Sequence, residues 1–152
     1  MAAIEHRHGM VPATETAVTA AEKVLGVAFP EDYRRFLLEH NGGSPVPDAF
    51  FIKDVNQYAI VDCFFGVDRP SDDLLRYFSE IEDRIPGAHV PIGVDPGNNV
   101  LLMDLSPEGT SKVYYWDDLM AFEQSTDEEN TYLVAASFSD FLDKLQPFPE
   151  GG

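Results

Sequence analysis

Four histidines, one cysteine and 27 aspartates and glutamates are the groups in this 152-residue chain that could do chemistry. His6 and His8 stand beside Glu5, a set able to hold a metal weakly, but no second ligand cluster has the spacing of a zinc site. His40 falls on one helical face just ahead of Asn41-Gly42-Gly43, where a packed or capping histidine is expected rather than a base. Cys63 lies in the apolar run Ile60-Val61-Asp62-Cys63-Phe64-Phe65, which suits a buried, inert thiol; being single, it allows no intramolecular disulfide. Asp95, Asn98 and Asp104 are scattered oxygen ligands without the spacing of an EF-hand loop, and Asp95-Pro96-Gly97 is ordinary turn chemistry. Gly93, Gly97 and Gly109 form no phosphate-cradling loop, and neither a Gly-x-Ser-x-Gly elbow nor a His-Glu-x-x-His pair occurs. Where acids are this numerous, carboxylate pairs arise by chance and do not indicate glycosidase chemistry. No catalytic residue, metal or cofactor is assigned on these grounds. A carboxylate- or metal-dependent hydrolase is the enzymatic alternative.

One stretch does invite a functional reading. Asp117, Asp118, Glu123, Asp127, Glu128 and Glu129 form an acidic run directly after Tyr115 and Trp116. A solvated loop is the plain interpretation. The functional one is a face that meets a basic partner, since aromatics rimmed by charge are how interface anchors are built. The whole chain supports that sign: 10 lysines and arginines against 27 acids give a net charge of −17, with a pI near 4.3. Nucleic acid and anionic lipid surfaces are disfavoured by such a field, and a basic protein, a metal ion or a polyamine is attracted.

The elements that must position these residues can be read from periodicity. One domain is expected over 14–147, with a flexible arm at 1–13 and a tail at 148–152. Ala17, Val18, Ala21, Val24 and Leu25 make a helical stripe, capped by Thr14 and ended by Gly26. Pro30 suits the first turn of a second helix, whose buried face is Tyr33, Phe36, Leu37 and His40. Residues 44–49 read as a proline-rich loop, and 49–52 and 58–67 as strands. Ser71 is expected to cap a third helix running through Glu80. The hairpin Val90–Val94 and Asn99–Asp104 closes through Asp95-Pro96-Gly97-Asn98, where Pro-Gly fits a type II turn. Lys112–Trp116 and Tyr132–Ala135 follow as strands, and Ser137 caps a last helix with Asp140 three residues on. Met120, Ala121 and Phe122 are expected to pack inward. Hairpin-length connections favour antiparallel pairing, hence an α+β fold. Met1–Val11 holds no signal-peptide stretch and no run approaches ~18 apolar residues, so a cytoplasmic protein without a membrane span is expected.

Four segments, in order, resemble the SUKH superfamily (the Smi-one/Knr-four family). Glu22–Leu37, closed by Asn41-Gly42-Gly43, is similar to its opening signature. Asp95–Leu105 resembles its glycine-asparagine hairpin, Lys112–Asp117 the strand that follows, and Ala136–Leu142 its closing helix. The pieces cover about residues 20–146. Two departures stand out: Asp117-Asp118 where members often carry a histidine, and an additional asparagine in Gly97-Asn98-Asn99. The resemblance implies a bent antiparallel sheet flanked by helices, no established catalytic residues, and, for bacterial members, an immunity protein that binds and neutralises a toxin, often a nuclease, in competition between cells. A monomer that meets a basic toxin domain through Tyr115, Trp116 and the acidic run is thus the expectation. A regulatory scaffold for an endogenous protein, as in fungal members, is the alternative.

Overall fold

The computed structural model describes residues 2–7, 9–107, 110–119, 122–123, 125–126 and 129–149. Helix α1 (Glu15–Leu25) starts where the Thr14 hydroxyl accepts the Ala17 N–H at 3.1 Å, and it ends at Gly26 in the left-handed conformation. Helix α2 (Glu31–Glu39) begins one residue after Pro30, which leaves the proline at the cap rather than inside the first turn. Glu22 ties the two together, accepting from the Phe29 N–H at 2.7 Å and from Arg34 at 2.6 Å. Helix α3 (Leu74–Ile81) and helix α4 (Phe138–Lys144) complete the helical set among the described residues. In α4 the Ser137 hydroxyl accepts the Asp140 N–H, and the Asp140 carboxylate reaches back to the Ala136 N–H at 2.9 Å, a reciprocal cap.

Among the described residues the strands form three antiparallel sheets. Strand β1 (Ala3–Glu5) pairs with β2 (Ser44–Val46); β3 (Ala49–Ile52) pairs with β4 (Gln57–Ile60) across a short 3₁₀ turn (Lys53–Val55). The main sheet runs β5 (Cys63–Phe64), β6 (His89–Val94), β7 (Val100–Asp104), β8 (Val113–Trp116), β9 (Thr131–Ala135), each strand next to its sequence neighbour. One face of this sheet meets α1, α2 and α4 through a layer of rings. Phe36 and Phe138 lie 4.8 Å apart, Tyr33 and Phe138 5.0 Å, and Phe50 and Phe141 5.2 Å. The other face is smaller: Val100, Leu102 and Trp116 pack under Ile81 of α3, with Tyr77 and Ile85 at its margin. The α+β, antiparallel expectation is what the chain adopts.

Several local expectations are corrected. Within 1–13, read as an arm, described residues make contacts with the domain: Ile4 is paired opposite Pro45, Arg7 meets Asp62 at 2.9 Å, and the Val11 carbonyl accepts from Asn41. A three-residue strand has no periodicity to reveal it, and its partner lies in the stretch read as a loop. Asn41 does more than stop a helix. It is fully buried, its Nδ2 donates to Val11 and Val67 carbonyls, and its Oδ1 accepts the Val67 N–H at 2.7 Å. Gly43, at φ +109°, lies so close to β1 that a Cβ there would stand 2.6 Å from the Ile4 side chain. The run 58–67 is two strands, not one, broken at Val61-Asp62. Ser71 caps nothing. Asp72 has φ +55° and the Leu74 N–H is already bonded to the Gly66 carbonyl, so the helix starts three residues later. Nor is the hairpin turn type II. Asn98, not Gly97, carries the positive φ (+69°), because Asp95 Oδ1 accepts the N–H groups of both Gly97 and Asn99 at 2.9 Å.

Candidate protein-binding face

The acidic run leaves β8 and returns as β9, and a buried carboxylate organises it. Asp117 has no exposed surface. Its Oδ1 accepts from Asn99 Nδ2 at 3.0 Å; its Oδ2 accepts the Phe122 N–H at 2.9 Å and the Ser125 hydroxyl at 2.5 Å. Its own N–H donates to the Asn130 carbonyl at 2.7 Å, closing the loop where it rejoins the sheet. Asn99 extends the network, since its Oδ1 accepts the Leu119 N–H at 3.0 Å and its Nδ2 also reaches the Tyr115 hydroxyl. That hydroxyl donates to Asp95 Oδ2 at 2.6 Å. Burial, then the adjoining Asp95 carboxylate, pushes the Tyr115 phenol far above its ordinary range. Ser125 and Tyr132 share a 2.6 Å hydrogen bond at the far side, and the Phe122 ring packs between Tyr115 and Tyr132. Buried polar groups this fully paired hold the described residues around Asp117 in place.

The residues proposed from sequence therefore separate. Tyr115 and Trp116 are buried, and Asp117 is wholly so; none of the three can present its side chain to a partner. The reason is visible in the sheet: Tyr115 faces the large core, Trp116 the small one, and Asp117 turns inward to satisfy loop N–H groups that would otherwise be orphaned. Asp118 is half-buried and bonded to Arg84 at 2.5 Å, while the Arg84 guanidinium lies 5.4 Å over the Trp116 ring. Glu123 and Glu129 are exposed. Asp127 and Glu128 lie outside the described residues, as do Met120 and Ala121, whereas Phe122 packs inward as expected. The sequence missed Leu119, 59% exposed between these acids, because one leucine after a strand carries no periodic signal. It also missed Asn99, although that residue was visible as an addition to the hairpin.

The other candidate groups are occupied elsewhere. Burial, followed by the Asp72 and Asp62 charges, pushes the Cys63 thiol up to about 12, so it is not a thiolate at neutral pH. His40 ends α2 and stacks on His6 at 5.8 Å; His8 is outside the described residues. Asp104 accepts from the Ser106 hydroxyl and N–H. Among the described residues no group of three or more His, Cys, Asp or Glu is placed to hold a metal, and no helix is long and apolar enough to cross a membrane.

Residues 12–144, which include these elements, match the model of one family. The chain belongs to the SMI1 / KNR4 family (SUKH-1). It is also similar to YnaB, an uncharacterised protein of Bacillus subtilis (strain 168), with 26% identity over 128 residues, which is 84% of this chain and 76% of that protein. The matched range spans the elements from α1 to α4 and includes the network around Asp117.

Proposed function

We propose that this chain is a protein-binding module of the immunity type, one that neutralises a basic, nuclease-type toxin by covering its cationic surface, and that it is not a catalyst. The observation that carries the proposal is the group of exposed Glu123 and Glu129, half-exposed Asp118 and exposed Leu119 after β8, flanking a buried network that bonds the backbone of Leu119 and Phe122, on a chain of net charge −17. Backbone already held by such bonds at Leu119 and Phe122 loses little conformational entropy on docking, and an exposed leucine next to acidic residues in the chain supplies an apolar anchor beside polar groups. The surrounding negative field steers a basic partner and raises the rate of encounter. Cytoplasmic placement belongs to the same proposal, since an immunity protein waits where the toxin arrives.

The test uses the protein encoded beside this gene, where an immunity gene normally has its toxin. Mixed with this chain, it should form a complex, and co-expression should rescue growth. The association rate should fall by about tenfold or more as salt rises, because the encounter is driven by screened charges. Glu123→Lys with Glu129→Lys should slow association at low salt, again by about tenfold, without altering folding. Asp117→Lys is the wrong probe for this, since it would break the loop from within. A partner encoded elsewhere, with no rescue, would point to the regulatory scaffold instead. An association rate indifferent to salt would end the electrostatic account.

A further inference from the structure

The lysines of this acidic protein are gathered rather than spread. There are four, Lys23, Lys53, Lys112 and Lys144. Three of them, Lys53, Lys112 and Lys144, line one open cleft of about 460 Å³, and no carboxylate is among its described lining residues. They come from three separate elements: the 3₁₀ turn after β3, the residue before β8, and the last turn of α4. Among the described residues Lys53 and Lys112 form no ion pair, and Lys144 bonds to Asp140 at 2.9 Å while remaining more than half exposed. The Asp140 carboxylate is shared, since it also accepts the Ala136 N–H at 2.9 Å. Asp104, whose N–H donates to the Lys112 carbonyl, has its own carboxylate engaged by the Ser106 hydroxyl and N–H.

One wall of the cleft comes from β9, through Leu133, Val134 and Ala135. The register with β8 slips at this place: Val113 faces Ala135 and Tyr114 faces Leu133, which leaves Val134 as the additional residue of a bulge. A bulge bends its strand, and bulges recur beside functional sites. A second wall comes from β3 and the 3₁₀ turn, which approach β9 to within 8 Å between Cα atoms. That spacing leaves no room for a further strand, but the volume lies within the roughly 300–1,000 Å³ of clefts that hold small molecules. Two apolar side chains of the lining are open to solvent, Leu133 at 46% and Phe51 at 39% exposure. Gln146 is fixed in the lining by two backbone bonds to Ala49, each 2.9 Å, and its side-chain amide has no partner among the described residues. Apolar walls with a few polar groups are the composition of ligand sites.

We propose that this cleft binds a small amphipathic anion, an organic carboxylate carried on an apolar body. The body packs on Leu133 and Phe51 and takes their exposed surface out of water. The carboxylate accepts charge-assisted hydrogen bonds from the lysines, with the Gln146 amide as a neutral donor beside them. Three like charges around one cleft, with no carboxylate in its described lining, form a local positive field that only an anion relieves. The rest of the chain repels such a ligand, so selection for it is local to the cleft. The ligand has the opposite sign to the partner proposed for the residues after β8, and the inference does not depend on that proposal.

The probe is cinnamate, titrated into the isotopically labelled full chain and followed by amide NMR shifts. Cinnamylammonium, with the same apolar body and the opposite charge, is the control. Cinnamate should shift the amides of Leu133, Val134 and Ala135 and of Phe51, Lys53 and Lys112, and bind roughly tenfold more tightly than the cation. A net charge of −17 favours the cation over the molecule as a whole, so that order of affinity reports the cleft and not the overall field. The variant Lys53→Gln with Lys112→Gln and Lys144→Gln should lose the preference while keeping its urea midpoint. Leu133→Asp, at an exposed position, should weaken cinnamate by about tenfold on its own, and it carries the test if the lysine variant does not fold. Cinnamate shifts absent from these residues, a cation bound as tightly, a preference retained in the lysine variant, or Leu133→Asp without effect would each overturn the proposal, and the lysines would then serve only solubility.

Discussion

Asp117 and Tyr33 are equally inaccessible to water, and the molecule treats them in opposite ways. Asp117 is a carboxylate with Asn99, Phe122 and Ser125 all donating to it. Tyr33 sits among Phe29, Phe36 and Phe138 with its hydroxyl bonded to nothing among the described residues. Burial alone pushes that phenol far above its usual range. The difference teaches where this fold spends polarity. In the helical layer, ring packing determines the arrangement and one orphaned hydroxyl is tolerated. At the loop end of the sheet the described residues after β8 show no periodic apolar surface, and a polar hub holds Leu119, Phe122 and Ser125.

The comparison breaks most visibly at Asp117. Asp117→Ala leaves the Phe122 N–H without an acceptor and takes one partner each from the Ser125 hydroxyl and Asn99 Nδ2, which keep Tyr132 and Tyr115, in a buried site. The lost bonds and the orphaned Phe122 N–H together cost about 3 kcal/mol, read as a fall in the urea midpoint with an unchanged slope. Hydrogen exchange should accelerate first at Leu119 and Phe122 and last in β6 and β7. If the loop amides keep their protection, the carboxylate is not the hub. Binding by the loop should weaken as well, since the same substitution frees a segment that must then be ordered on docking.

Tyr33→Phe is the complementary change and should act with the opposite sign. It removes only the oxygen, leaves the ring contacts at 5.0 and 5.2 Å in place, and relieves a buried hydroxyl of its unmet bond. Stability should rise by about 1 kcal/mol, seen as a higher thermal midpoint. A destabilised variant would mean that the hydroxyl has a partner, such as a buried water.

These two sites differ equally in how far the sequence discloses them. Tyr33 could be placed in the core because Tyr33, Phe36 and Leu37 repeat at helical spacing, and capping residues Thr14, Gly26, Ser137 and Asp140 marked helix ends by local chemistry. The β6–β7 hairpin was legible for the same reason, although its turn was not, since the Asp95 side chain overrides the preference of Pro-Gly. Asp117 was misread because charge in a run looks solvated, and its burial depends on Asn99, eighteen positions away and just ahead of β7. No local rule brings those two together. The β1–β2 pair was hidden likewise, since its register joins Ile4 to Pro45 and neither segment is patterned.

That N-terminal corner offers the smallest and most selective test of the contrast, because its polar group is neither a paired hub nor enclosed by rings. The His6 Nδ1 is buried without a partner, and the ring stacks 5.8 Å from His40. Burial, then the charges of His40 and Arg69, lowers the His6 pKa beneath its ordinary 6.5. The folded chain therefore takes up this proton less readily than the unfolded one. Above pH 6.5 the ring is neutral in both states and its contribution is complete; as pH falls through 6.5 towards the folded value, the unfolded state gains the proton first and stability declines. The decline should be modest, and local to β1, whose amides should exchange faster at pH 5 than at pH 7.5 after correction for intrinsic rates. His6→Gln should remove that pH dependence between 7.5 and 5 while leaving the exchange of the loop around Asp117 unaltered. If the variant and the natural protein lose β1 protection in parallel, the switch lies in another group and β1 is held by its backbone pairing alone.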